Sequence, residues 1–296
     1  MFHEDVSVDV VRHFCHIATN RLGVGISASH EALVAGRVAK RLQLLQVELD
    51  EYISRLDEDQ DCSEVVGFLD FLRPRPPRFF ARLDDHTALH TQLVRGLRGG
   101  KLRIRLWSAG CGTGEEAYGM ALTALSAVQV SEVGLGDVDI KILATDISNP
   151  MLDRGKKGVF DEAQLRDVPT FMQDRYFHAV EGGIAIDEDV KDMVYFRRLN
   201  LARLPYPMTG PLEAIFCHEG LVPLVASARK RVAGAVNDLL ADGGLLCTDF
   251  GSKASHEAAD GESDEASDEA CDEGAADADG AVTPPTRKIP TPRGHC

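Results

Sequence analysis

The run Trp107-Ser108-Ala109-Gly110-Cys111-Gly112-Thr113-Gly114-Glu115-Glu116 sets glycines at alternate positions and follows them with adjacent carboxylates. Glycines where a strand turns into a helix let the backbone pass close to a ligand, and the start of the helix offers unpaired N–H groups. The spacing is Gly-x-Gly-x-Gly rather than the Gly-x-Gly-x-x-Gly of dinucleotide folds, and no Gly-Lys-Ser/Thr step follows to cradle phosphates. Carboxylates at this place would repel a pyrophosphate. They suit a ligand with a cationic centre and ribose hydroxyls, a description that S-adenosylmethionine (SAM) meets. A glycine-rich turn alone is also ordinary punctuation between elements. A second acidic position, Asp146 after Thr145, follows the apolar stretch 140–144. The carboxyl edge of an open sheet is where ligand-contacting side chains stand, and a carboxylate there can accept from both ribose hydroxyls. Read alone, Asp146 could equally be the N-cap of the next helix. Acidic positions in this order after the turn favour the ligand.

These residues need a sheet to hold them. Leu102 to Trp107 reads as a short apolar strand, Glu115 to Val130 as a helix, and Ile140 to Ala144 as a second strand. Further strands are predicted at Met193 to Arg197, Leu212 to Cys217 and Leu245 to Phe250, the last after a helix and the turn Asp242-Gly243-Gly244. Such alternation predicts a parallel sheet with helices on both faces. Val6 to Gly99 reads as helical instead. Val38, Leu42, Leu45, Leu49, Ile53 and Leu56 recur at spacings of three and four, one face of a helix if it is continuous, with Phe14, Ile17, Leu22, Phe68, Phe71 and Leu72 as partners. The prolines of Arg73-Pro74-Arg75-Pro76-Pro77-Arg78 predict an extended connector, after which Phe79-Phe80 leads to a helix ending near Gly99-Gly100. The expected division is a helical region over 1–99, an α/β domain over 100–252 and a tail over 253–296.

The net charge is -15, and from Lys253 to Cys296 eleven Asp or Glu stand against four Lys or Arg. That balance disfavours a nucleic-acid partner, which needs clustered positive charge. The tail, rich in Ala, Asp, Glu, Gly and Ser, lacks the apolar residues to offset its ordering and is expected to be disordered. Neither a signal peptide nor an apolar run long enough to span a membrane is expected, so the chain is read as cytoplasmic with no membrane insertion. Seven scattered cysteines without metal-like spacing fit reduced thiols, and no metal site is expected; Cys15, Cys217 and Cys247 read as small core residues.

From about Phe14 to Phe250 the chain resembles the CheR-type protein-glutamate methyltransferases that modify bacterial chemoreceptors. Ser108 through Glu116 followed by Tyr118 is similar to that family's SAGCSTGEEPYS turn, Ile142-Leu143-Ala144-Thr145-Asp146-Ile147 to its second strand, Leu199-Asn200-Leu201 to its NL step, and Gly210-Pro211 through Ile215-Phe216-Cys217 to its fourth strand. The resemblance implies a Rossmann-like SAM-dependent methyltransferase domain preceded by a small all-helical domain. It implies that Glu116 and Asp146 hold the ribose and amino-acid portion of SAM, that Asn200 and Leu201 lie along the adenine, and that Gly110 and Gly112 leave room for the ligand. His218 and Glu219 stand where the family has Arg-Asn and inherit that place in the cofactor pocket. The helical domain of the family docks on receptor helices, which implies a chemoreceptor or related signalling protein as partner, met by the basic face of Arg37, Lys40 and Arg41 at i, i+3 and i+4. An ordinary solvated face would look the same.

The chain also departs from the family. The TxNxTxFFRE segment reads here Arg73 to Arg82, with Arg75 and Pro77 for Asn and Thr and with Ala81 for the arginine after the phenylalanines. The CRNVLIYF stretch reads Cys217-His218-Glu219-Gly220-Leu221-Val222-Pro223-Leu224, and the acidic tail replaces the terminal strand pair expected after Phe250. Methyl transfer to a carboxylate needs no general base, because the acceptor is already ionised at neutral pH. Positioning carries the catalysis, and Arg82 or Arg78 is expected to stand in for the lost arginine. A silent, scaffolding relative would show the same pattern of retained cofactor residues and altered substrate side, and a same-fold methyltransferase with another substrate is a third reading.

Overall fold

The computed structural model describes residues 8–26, 28–70, 78–218 and 224–248. These fall within the first of two units of the chain, Met1–Ala254; the second, Ser255–Cys296, lies outside the described residues, and with it the expectation placed on the acidic tail. Four helices come first, α1 (Val8–Leu22), α2 (Ala28–Leu45), α3 (Leu49–Glu58) and α4 (Ser63–Leu69). The apolar stripe from Val38 to Leu56 is therefore not one helix. Gln46 takes φ 55°, which no helix residue can, and α3 restarts after an extended Glu48. The stripe still faces one core: Val38 and Leu56 are buried, and Leu42, Leu45, Leu49 and Ile53 pack partly buried against Phe14, Ile17, Leu22 and Phe68. Its periodicity reported burial rather than continuity. Phe14 and Phe68 meet edge to face at 5.0 Å, a geometry their ring quadrupoles favour. Phe71 and Leu72 and the proline connector lie outside the described residues.

After α5 (Leu83–Arg98) the chain alternates: β1 (Arg103–Ala109), α6 (Glu115–Val130), β2 (Asp139–Asp146), α7 (Asn149–Lys157), β3 (Val159–Phe160), α8 (Thr170–Tyr176), β4 (Phe177–Val180), β5 (Gly183–Ile186), α9 (Glu188–Lys191), β6 (Val194–Arg198), β7 (Leu212–Cys217), α10 (Ala226–Asn237) and β8 (Leu240–Thr248). The main sheet has the order β6-β2-β1-β7-β8, and every pairing in it is parallel. Successive residues of a strand point to opposite faces, and here they enter different cores. Leu106 and Ala214 join α5 and α6, whereas their neighbours Trp107 and Ile215 join Val232 and Val236 of α10. Helices thus cover both faces. This is a Rossmann-like α/β architecture preceded by a helical region.

Two features depart from the sequence reading. Asp242-Gly243-Gly244 is not a turn ahead of a strand but lies inside β8, where Gly243 takes φ 69° and the register against β7 slips between Leu212 and Ala214. A glycine at positive φ admits the extra residue of a bulge. A second, antiparallel sheet of order β3-β5-β4 is inserted between α7 and β6, its hairpin reversing at Glu181-Gly182. The strands are too short to raise a periodic signal.

The helical region is tied to the sheet at the ends of β2 and β6. Arg198 donates to Asp61 Oδ1 at 2.6 Å, Ser148 Oγ to Asp70 Oδ2 at 2.6 Å, and Asn200 Nδ2 to the Arg21 carbonyl at 2.9 Å. Beneath the site, His86 of α5 is wedged between Phe80 and Phe216 at ring-centroid distances of 4.7 and 5.3 Å. Its Nδ1 meets Thr123 Oγ1 at 3.0 Å, and that hydroxyl is itself donating to the Gly119 carbonyl, so Nδ1 carries the proton. Burial pulls the His86 pKa down to about 4 and keeps the ring neutral. A Cβ on Gly119 would stand 2.9 Å from the His86 ring. Gly119→Ala is therefore expected to destabilise the fold by about 1–3 kcal/mol through overpacking, despite the better helix propensity of alanine; urea unfolding measures it, and equal or greater stability would refute the wedge.

Candidate functional site

The glycine turn closes over the carboxyl end of β1. Gly110 and Gly114 take φ 89° and 98°, a region that costs other residues strain. A Cβ on Gly114 would also come within 2.9 Å of the Phe196 ring. The turn is laced to β2, since the N–H groups of Gly110 and Cys111 both donate to the Thr145 carbonyl, at 2.7 and 2.8 Å, and Trp107 Nε1 donates to Thr145 Oγ1 at 2.9 Å. Asp146 continues this lacing: its Oδ2 accepts from Gly112 N and its Oδ1 from Ser148 N, each at 2.9 Å. The N-cap of α7 is Ser148, whose Oγ accepts from Met151 N, so Asp146 is not that cap.

The carboxylates at the end of the turn have separate surroundings. Glu115 is buried and accepts from Thr113 Oγ1 at 2.7 Å and from Gln164 Nε2, tying the turn to the 3-10 segment Glu162–Leu165. Glu116 faces the ends of β1 and β7. Its Oε1 accepts from Ser108 Oγ at 2.6 Å and its Oε2 from His218 Nδ1 at 2.6 Å, while the other ring nitrogen of His218 stands 3.0 Å from Asp85 Oδ2. A neutral imidazole has one N–H to give. Two carboxylate partners therefore require the doubly protonated ring. Burial works against the His218 charge, but the hydrogen bond and charge of Glu116 outweigh it and, despite opposition from Arg82, the pKa is raised. Burial likewise pushes Glu116 up, and His218 and Ser108 pull it below the usual carboxylate range.

The other sequence-named residues divide. Arg82 is the N-cap residue of α5, close enough to oppose the His218 charge, whereas Arg78 donates to Asp167 at 3.0 Å on the side of the 3-10 segment. Residues 78–82 form bends and turns, so Arg78 is not one helical turn from Arg82. The Asn200 amide is engaged within the protein, by the Arg21 carbonyl and by Ala202 N, and Leu201 packs partly buried beside Trp107. Glu219 lies outside the described residues. On α2, Arg41 makes a two-pronged bond to Glu64 at 2.7 and 3.0 Å, Arg37 lies 6.0 Å from the Phe68 ring centroid, and Lys40 is exposed. Cys217 and Cys247 are buried, but Cys15 only partly so. Among the described residues no group of three or more His, Cys, Asp or Glu could hold a metal ion, and no helix is long and apolar enough to cross a membrane.

Sequence reasoning missed Asp85 and Gln164. Asp85 sits in the first turn of α5, where an acid is already explained by the helix dipole, and nothing in its spacing joins it to His218.

The arrangement fits SAM. Ribose hydroxyls and an ammonium group are donors, and the carboxylates of Asp146 and Glu116 are acceptors. Among the described residues the position of a Cβ on Gly110 meets only the His218 carbonyl, at 3.8 Å. Comparison with known proteins agrees. The family model for the CheR methyltransferase SAM-binding domain matches residues 77–254. The chain is 30% identical over 229 residues to chemotaxis protein methyltransferase 2 of Pseudomonas aeruginosa, covering 76% of this chain and 79% of that one. It is 25% identical over 243 residues to the chemotaxis protein methyltransferase of Borreliella burgdorferi, covering 80% and 85%, and 26% identical over 240 residues to that of Salmonella typhimurium, covering 79% and 80%. The sheet and its glycine turn are a SAM-binding domain.

The pH dependence of folding follows from the pair. His218 has a raised pKa when folded, so its stabilisation is complete below the ordinary histidine value of about 6.5 and is lost as pH rises through the raised value. Glu116, depressed on folding, contributes above the ordinary carboxylate value and loses its contribution as pH falls through the depressed one. Loss of this charge-assisted bond in His218→Gln is expected to cost about 2 kcal/mol near pH 6, and the gap to wild type narrows as pH is raised. Denaturant unfolding across pH measures it; a gap that widens toward alkaline pH would contradict the charged ring.

Proposed function

We propose that this chain, which belongs to the CheR methyltransferase family, transfers the methyl group of SAM to a glutamate side-chain carboxylate of a chemoreceptor-like protein. The observation that carries the reading is the placement of Glu116, in the first turn of α6, and of Asp146, at the end of β2, around the glycine turn. Asp146 accepts from the ribose hydroxyls, Glu116 from the amino-acid portion, and Gly110 and Gly112 let the ligand lie against the backbone. Asn200, whose amide is spent on Arg21 and Ala202, shapes the adenine wall together with Leu201 rather than bonding through its side chain. The names of the relatives place their methylation in chemotaxis.

SAM held by these residues would supply an electrophilic methyl carbon to the acceptor oxygen. The chain's own task is alignment. An ionised acceptor needs no base, and holding it in line with the methyl group is worth roughly 7–11 kcal/mol. Arg82, the N-cap residue of α5 that acts on His218, orients the acceptor in this reading, and Arg78 donates to Asp167. On α2 the partner-facing charge is that of Arg37 and Lys40, because Arg41 is held by Glu64. A silent scaffold remains the second reading, favoured by one observation: position 81 is an exposed alanine where the family has its arginine.

Calorimetric titration with SAM tests the pocket, and transfer of labelled methyl to a purified receptor cytoplasmic fragment tests the reaction. Asp146→Ala and Glu116→Ala are each expected to abolish measurable binding. Arg82→Ala is expected to keep SAM affinity and lower transfer about ten- to a hundredfold, the loss of one charge-assisted hydrogen bond. The transferred label should leave in mild alkali, as a carboxyl methyl ester does. Alkali-stable label would mean another acceptor chemistry, and SAM binding without transfer to receptor fragments would favour the scaffold.

A further inference from the structure

A cavity of about 900 Å3 is lined by residues of α7 and of the 3-10 segment. Thr113 of the turn lines it together with Phe160, and Arg78, Arg154, Lys157 and Arg166 stand around it. Arg154 and Lys157 lie three residues apart in the last turn of α7, where the helix end also favours cations. That preference explains Lys156 as well, yet Lys156 is paired with Asp153, whereas Arg154, Lys157 and Arg166 make no ion pair among the described residues. The acidic groups in the wall are otherwise engaged: Asp161 caps the 3-10 segment and Asp70 accepts from Ser148. The wall is also fixed to the cofactor turn, since Gln164 and Thr113 both donate to the buried Glu115. Three cations that make no ion pair among the described residues, bordering one cavity, are notable in a chain of net charge -15, which would repel an acidic partner over most of its surface.

We infer that this cavity is the docking cradle for the acidic segment of the protein substrate that flanks the methyl-accepting glutamate, with Arg154, Lys157 and Arg166 reading its carboxylates. The inference rests on the proposed carboxylate methylation and adds where, and by which charges, the polypeptide around the acceptor is held. Charge complementarity selects the occupant. Phe160 in the lining suits a peptide with apolar residues between its acids, and neither Asp146 nor Glu116 is among the described lining residues.

The test uses the full chain, a fluorescein-labelled peptide of repeated Glu-Glu-Ala-Ala, and a triple variant R154E/K157E/R166E, all exposed positions. Fluorescence anisotropy is expected to show peptide binding that weakens with added salt and is roughly tenfold weaker or more in the variant, the sum of three exposed ion pairs. SAM affinity by calorimetry stays within about twofold, which shows that the variant is folded and its cofactor site intact. No peptide binding by wild type, equal binding by the variant, or tighter binding of a thymidine oligonucleotide than of the peptide would each overturn the cradle. Loss of SAM binding in wild type would instead remove the methyltransferase reading on which it rests, so the two failures are separate.

Discussion

The chain of charges Ser108–Glu116–His218–Asp85 holds the cofactor edge together. It draws one residue from the end of β1, one from the first turn of α6, one from the end of β7 and one from the first turn of α5. A carboxylate aimed at a ligand from partly buried surroundings is unstable on its own, because burial favours the protonated acid. A protonated Glu116 would have one acceptor oxygen fewer to offer. An imidazolium shared between Glu116 and Asp85 keeps Glu116 ionised, and the Ser108 hydroxyl fixes the second oxygen. Asp146 is held by a different route, accepting from the backbone N–H groups of Gly112 and Ser148.

This division explains how the chain tolerates its departures from the family pattern. Where an arginine is expected after Phe79-Phe80, Ala81 offers no charge, and where the family has Arg-Asn the chain begins with His218. A guanidinium is charged at every relevant pH; a histidine is charged only while its partners hold the proton on it. The substitution therefore converts a fixed cation into a titratable one whose charge depends on Glu116 and Asp85. Among the described residues the charged or titratable groups that act on the ring are Asp85 and His86 of α5, Arg82 at its N-cap and Glu116 of α6. His86, neutral and wedged between rings, adds no competing charge.

Much of this was legible in the sequence. The glycine spacing, the following acids and Asp146 after the second strand mark the proposed cofactor edge, because close backbone approach and strand-end placement leave a local signature. The helix Glu115–Val130 and the strand Leu212–Cys217 were legible to the residue, since their apolar content is bounded by the glycine turn and by Gly210-Pro211. What could not be read depends on non-local geometry. Asp85 and His218 are more than a hundred residues apart and meet only because α5 lies beside the end of β7. Gln46 at positive φ broke a helix whose hydrophobic period ran through the break. The β3-β5-β4 sheet is built of strands of two to four residues, too short for alternation to register.

The most direct test of the account is the protonation of the His218 ring, read from its nitrogen shifts in the 15N spectrum of histidine-labelled protein and assigned with His218→Gln. At pH about 7, above the ordinary histidine value of about 6.5, the account predicts both ring nitrogens protonated, titrating only at higher pH. A His218 signal with one bare nitrogen at that pH would mean a neutral ring between the carboxylates, and the electrostatic basis proposed for the cofactor edge would be wrong.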